Sequence, residues 1–110
     1  MIDKKIVENV DRILDEKVSA IYKNQPLAQD WARVAKIVEE AGEAVNELIL
    51  STGQNPRKGT DDEAYIRLLR ELADTAMTGI YAIQHFTKDI NITEQIMLDA
   101  QHKHESRLGG

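Results

Sequence analysis

Apolar residues recur along this chain every three or four positions, the period of an amphipathic helix, and nowhere sustain the alternation of a strand. In the first stretch Ile6, Val10, Ile13, Leu14, Val18 and Ile21 share one face, with Asp3 placed to cap the helix start and Asn24-Gln25-Pro26 to end it. A second helix is expected over 27–50, with Leu27, Trp31, Val34, Val38, Ala41, Val45, Leu48 and Ile49 as its core stripe and Ser51-Thr52-Gly53 as its stop. The stretch TGQNPRKG over 52–59 is dense in turn formers and is the one extended loop signal. Thr60-Asp61-Asp62-Glu63 then reads as a capping box for a third helix carrying Tyr65, Leu69, Leu72, Ala73, Ala76, Ile80 and Ile83 on one face and ending over 86–89. Asn91-Ile92-Thr93-Glu94 offers a further capping signal for a fourth helix, through Ile96 and Ala100 toward Arg107. The pattern predicts an all-α, four-helix bundle in one domain, with an N-terminal helix over 1–26 and the remaining helices and loop over 27–110.

Composition narrows the class. With 110 residues, 42% of them hydrophobic and 30% charged, and with only 6 Gly and 2 Pro, the chain suits a helical protein better than a β-sandwich or a disordered tail. A domain this small gains by burying apolar surface in a self-association, so at least a homodimer is expected. Cysteine is absent, which excludes disulfides, thiolate metal sites and cysteine nucleophiles. No stretch approaches a signal peptide or the ~20 apolar residues needed to cross a bilayer, so the chain reads as cytoplasmic, with no membrane partner. A net charge of −5 argues against non-specific nucleic-acid binding. An acidic protein can still take a phosphate ligand if metal ions mediate.

Glu40-x-x-Glu43 and Glu71-x-x-Asp74 give that possibility residues. Positions three apart on a helix are neighbours, so each pair directs two carboxylates at one point in space. On the second helix Lys36, Glu40, Glu43 and Glu47 form one stripe, flanked by Glu39, and on the third Arg67, Glu71, Asp74, Thr78 and His85 line up alike. One reading is that these are the solvated faces of two amphipathic helices, belonging to a helical interaction module. Against it, solvated faces usually alternate in sign, whereas Glu39, Glu43 and Glu47 stack acid over acid, at a cost a divalent cation would relieve. None of His85, His102 and His104 follows a glutamate by three residues, so the di-iron carboxylate pattern is missing. Oxygen ligands alone favour Mg²⁺, with Mn²⁺ as a substitute, and Mg²⁺ completes its shell with water and substrate phosphates.

Basic residues stand where a phosphate compound would need them. Lys36 lies one turn before Glu40, Arg57 and Lys58 sit in the loop, and the stripe Ile92, Ile96, Ala100 continues into Lys103 and Arg107, so that a core-facing surface turns basic at its end. The same pair could equally complement the helix dipole. Trp31 fits core packing better than base stacking, and His85, about 16 Å along a helix from Asp74, is not expected to be a metal ligand. No Walker, Rossmann or nucleophile motif is present.

Taken in order, Glu39-Glu40-x-x-Glu43, 27 intervening residues, and Glu71-x-x-Asp74 resemble the EExxE…ExxD signature of the MazG-like, all-α nucleoside triphosphate pyrophosphohydrolases. Lys36 ahead of the first motif, the TGQNPRKG segment and Lys103-x-x-x-Arg107 extend the resemblance over 31–107, while the first helix is similar only in type. The resemblance implies hydrolysis of a nucleoside triphosphate between its α and β phosphates, giving the monophosphate and pyrophosphate, as a house-cleaning activity on the nucleotide pool. It implies Glu40, Glu43, Glu71 and Asp74 as metal ligands and Glu39 as the group orienting or deprotonating the attacking water. Lys36, Arg57, Lys58, Lys103 and Arg107 would hold phosphates. It further implies a homodimer or homotetramer. A sensor of the same fold that binds nucleotides without turnover is the other alternative.

Overall fold

The computed structural model describes residues 2–23, 25–54 and 63–109, which form α1 (Lys4–Tyr22), α2 (Pro26–Thr52), α3 (Ala64–Thr87) and α4 (Ile90–Arg107), with no strand among the described residues. The all-α class predicted from the periodicity is the class observed. Asp3 caps α1 as expected, its carboxylate accepting from the Ile6 amide at 3.1 Å. Pro26 opens α2 at a position where a missing N–H costs nothing. At the other end Ser51 and Thr52 donate their hydroxyls back to the Leu48 carbonyl, and Gly53 takes the left-handed conformation (φ 67) that closes a helix. The capping signal for α3 lies, apart from Glu63, outside the described residues.

The α4 start departs from the expectation. Its cap is Asp89, not Asn91: the Asp89 carboxylate accepts from the Asn91 and Ile92 amides at 2.9 and 3.4 Å. Lys88 makes this early restart possible by adopting φ 53, which turns the chain sharply after α3.

Contacts divide the chain into two compact units, Met1–Asp30 with Ile80–Gly110, and Trp31–Gly79. The first holds α1, α4 and the end of α3. Its buried residues mix apolar Val7, Ile80 and Ala82 with polar Asp11, Gln84 and Thr93. The Thr93 hydroxyl donates to Gln84 Oε1 at 2.7 Å and stands 2.7 Å from the Thr87 hydroxyl, so its burial is compensated. That contact fixes the rotation of α4. With Thr93 turned inward, Ile92 and Ile96 face outward, and the stripe leading to Lys103 and Arg107 is exposed, where the sequence had placed it against the core.

α1 is rotated for a related reason. Lys88 donates to Asp11 at 3.0 Å and also to Asp15, drawing the acidic residues inward beside Val7 while Ile6 and Ile21 stay outside. Lys88 therefore combines an unfavourable backbone conformation with a favourable side chain. Lys88→Ala keeps the first and loses the second, whereas Lys88→Gly loses both. Urea unfolding should show Lys88→Gly more stable than Lys88→Ala by about 1 kcal/mol. Equal stabilities would mean that the left-handed conformation costs nothing at this turn.

In the second unit α2 and α3 run antiparallel. The Arg67 guanidinium donates to Glu47 at 2.9 Å across the pair, and an apolar groove of about 270 Å³ between the helices is lined by Ala41, Ala44, Val45, Leu48, Leu68, Leu72 and Thr75. Small side chains such as the buried Ala44 let the helices approach. Much of the stripe assigned to the core is nonetheless exposed, including Val34, Val38 and Val45 on α2 and Tyr65, Leu69 and Leu72 on α3. Trp31, expected inside, is 74% exposed. Two helices cover only one flank of each other.

Candidate functional site

The Arg67–Glu47 ion pair sets the register of the antiparallel pair. Stepping one turn along each helix in opposite directions brings position 71 level with 43, and a further turn brings 74 level with 40. The local i,i+3 spacing and this register together produce the observed cluster. Carboxylate oxygens of Glu40, Glu43 and Glu71 all lie within 4.8 Å of one another. Asp74 is exposed and is not among the mutually close oxygens.

Electrostatics mark Glu71 as the focus. Its Oε2 is closed off from solvent and has no hydrogen-bond partner, the one such buried side-chain atom among the described residues. Loss of hydration, and then the adjacent Glu40 and Glu43 carboxylates, push its pKa up from an ordinary 4.5 to about 7. A carboxylate oxygen with no donor, facing two more carboxylates, is satisfied by a proton or by a metal cation. Three oxygen donors with no nitrogen or sulfur among them suit a hard divalent cation.

Lys36 borders the cluster. Its ammonium lies 3.3 Å from Glu39 and 3.5 Å from Glu40, and these partners, Glu39 first, hold its pKa above the ordinary lysine value. Glu39 is exposed and engaged by Lys36. Lys103 and Arg107 are exposed in the last turns of α4, in the other unit. Arg57 and Lys58 lie outside the described residues.

A second titratable cluster escaped the sequence reading. Asp11, Asp15 and His85 also bring ligand atoms within 4.8 Å of one another. His85 Nδ1 is 3.0 Å from Asp15 Oδ1 and its Nε2 is 2.7 Å from Asp30 Oδ1, so one ring joins α1, the first turn of α2 and the end of α3. Here the cation is already supplied, because Lys88 pairs with both Asp11 and Asp15. Partial burial works against ionisation of Asp15, but Lys88 and His85 outweigh it and hold the carboxyl below its usual range. This cluster is a structural ion network, and the one on α2 and α3, where Glu71 Oε2 lacks a hydrogen-bond partner, is the better candidate for a bound cation. The sequence signal for the network was the acid-over-acid pair Asp11 and Asp15 at i,i+4 on α1.

Comparisons of the chain with protein-family models, with characterised proteins and with solved structures found no match.

Proposed function

We propose that this chain hydrolyses a nucleoside triphosphate to the monophosphate and pyrophosphate with the help of divalent cations held by Glu40, Glu43 and Glu71. The observation that carries the reading is the convergence of these carboxylates on a buried Glu71 oxygen without a donor. Mg²⁺ as the cation, Mn²⁺ as its substitute and the triphosphate as substrate come from the oxygen-only donor set and from the MazG-like motif order.

The donor residues fit such a cation by charge and by atom type. Asp74, level with Glu40 in the helix register, is the proposed fourth ligand. A bound divalent cation supplies charge against the phosphoryl oxygens and lowers the pKa of water. The chain's own contributions are distinct from this. Clustered carboxylates repel a triphosphate that arrives without cations, which makes binding conditional on metal. Lys36 stands beside Glu40 and can exchange its carboxylate partners for a phosphate oxygen. Glu39, released from Lys36 in that exchange, is the proposed acceptor for the proton of the attacking water.

A non-catalytic helical interaction module is the second reading, favoured by the exposed apolar side chains of α2 and α3. A nucleotide-binding sensor is the third. Incubation with a panel of nucleoside triphosphates, with and without Mg²⁺, separates them. Mg²⁺-dependent release of pyrophosphate is expected; binding without release identifies the sensor, and absence of both leaves the interaction module.

A further inference from the structure

We propose that Arg67 and Glu47 are positioning residues for the candidate cation site: their ion pair holds α3 against α2 in the register that brings Glu71 to Glu40 and Glu43, and so sets the affinity for the ion without either side chain touching it. The inference rests on the reading of those carboxylates as a divalent-cation site, and every residue in the arrangement lies in the unit Trp31–Gly79.

Charge alone gives no reason for an arginine here. Arg67 stands one turn before Glu71 on α3, where a guanidinium repels an incoming cation. Its Nε donates to Glu47 Oε2 at 2.9 Å across the hairpin, and the Glu47 side chain is only 16% exposed. The pair is therefore partly desolvated and held in one geometry, unlike a fully solvated surface pair.

Apolar packing selects this register weakly. Ala41, Ala44, Val45 and Leu48 face Leu68 and Leu72, and both rows repeat every three or four residues, so that a slide of one turn, about 5.4 Å, sets apolar groups against apolar groups again. The three carboxylates, with oxygens within 4.8 Å of one another, repel when ionised and do not hold the helices together. A slide in one direction would put Arg67 level with Ser51, which has no charge to offer it. In the other direction Arg67 would come level with Glu43 and neutralise a ligand of the cation. Glu47, midway between the two, is the acceptor that leaves Glu43 and Glu71 to the ion. Fixing a register is the best-attested use of a partly buried ion pair.

Mn²⁺ alone, read by loss of its free-ion paramagnetic resonance signal, tests this on the full chain. Arg67→Met removes a positive charge beside the site, so charge alone predicts tighter binding; the positioning role predicts binding weakened about tenfold, with an unchanged far-ultraviolet dichroism spectrum. Exchanging the partners, Glu47→Arg together with Arg67→Glu, should restore the parent's affinity. Arg12→Met, which removes an exposed ion pair with Glu16 on α1, should bind like the parent. A metal-free readout of the register comes from nitroxides on Val38→Cys and Ala76→Cys, exposed positions level with each other across the hairpin in a chain that has no other cysteine. Diluted with unlabelled chain, the parent should give a single label separation that shifts or broadens in Arg67→Met and returns in the exchanged pair. A parent that binds no Mn²⁺ would overturn the cation site and this inference with it. A parent that binds Mn²⁺ no more tightly than Arg67→Met, an exchange that fails to restore affinity, an Arg12→Met weakened to the same extent, or a label separation untouched by Arg67→Met would overturn the positioning role alone.

Discussion

Glu71→Gln should reduce Mg²⁺-dependent pyrophosphate release by about 10²-fold or more, because a ligand lost from a catalytic cation site removes several kcal/mol of charge stabilisation that operates in the transition state. Glu43→Gln should act in the same direction, and Glu8→Gln, on an exposed position of α1, should leave the rate unchanged. The same substitution has the opposite effect on the metal-free fold. Glu71 has a folded-state pKa of about 7 against an ordinary 4.5. A carboxyl raised on folding contributes stability that is fully present below 4.5 and lost as pH rises through about 7. Metal-free parent protein should therefore lose stability between those values, and Glu71→Gln should flatten that part of the profile. Activity loss with the parent pH profile retained would mean that Glu71 acts elsewhere than in the cluster.

The second large effect is expected at Lys36. Lys36→Ala should raise KM about tenfold or more with a smaller loss of kcat, because a charge-assisted contact to a phosphate distant from the reacting atom is worth ~1.5–3 kcal/mol and acts on ground-state binding. Lys36 is the phosphate-binding candidate that stands beside the carboxylates, at 3.5 Å from Glu40. Lys103→Ala and Arg107→Ala test the contribution from α4, whose basic stripe faces outward. If those two raise KM as strongly as Lys36→Ala, the α4 pair binds phosphate; kinetics equal to the parent would reduce the pair to complementing the helix dipole. An unchanged KM in Lys36→Ala would remove Lys36 from the phosphate site.

Helix existence was legible because three long segments keep the 3.6-residue period, and the Asp3 cap and the stop at Gly53 follow from local chemistry alone. The local half of the candidate site was legible for the same reason, since Glu40 and Glu43 are neighbours within one helix. Which carboxylates meet across helices depends on the register set by Arg67 and Glu47, a contact between residues twenty positions apart that periodicity does not encode. Burial was the least legible property. Asp11 and Thr93 are buried because Lys88 and Gln84 satisfy them, and those pairings rotate α1 and α4 away from the faces their apolar residues suggest. The polar network around His85 escaped notice because its members come from four separate stretches of sequence, positions 11–15, 30, 85 and 88. On α2 the apolar stripe was expected to form the core, yet Trp31, Val34, Val38 and Val45 are exposed, because α2 and α3 cover only one flank of each other.

Paramagnetic resonance of Mn²⁺ tests, without requiring turnover, whether Glu40, Glu43 and Glu71 form a divalent-cation site. Titrated with the parent protein near neutral pH, the free-ion signal should fall as the ion is bound, and excess Mg²⁺ should restore it. Glu71→Gln should weaken the binding at least ~10-fold, since a ligand bearing charge is replaced by a neutral one. Retention of the full free-ion signal by the parent, or equal binding by the parent and Glu71→Gln, would contradict the assignment.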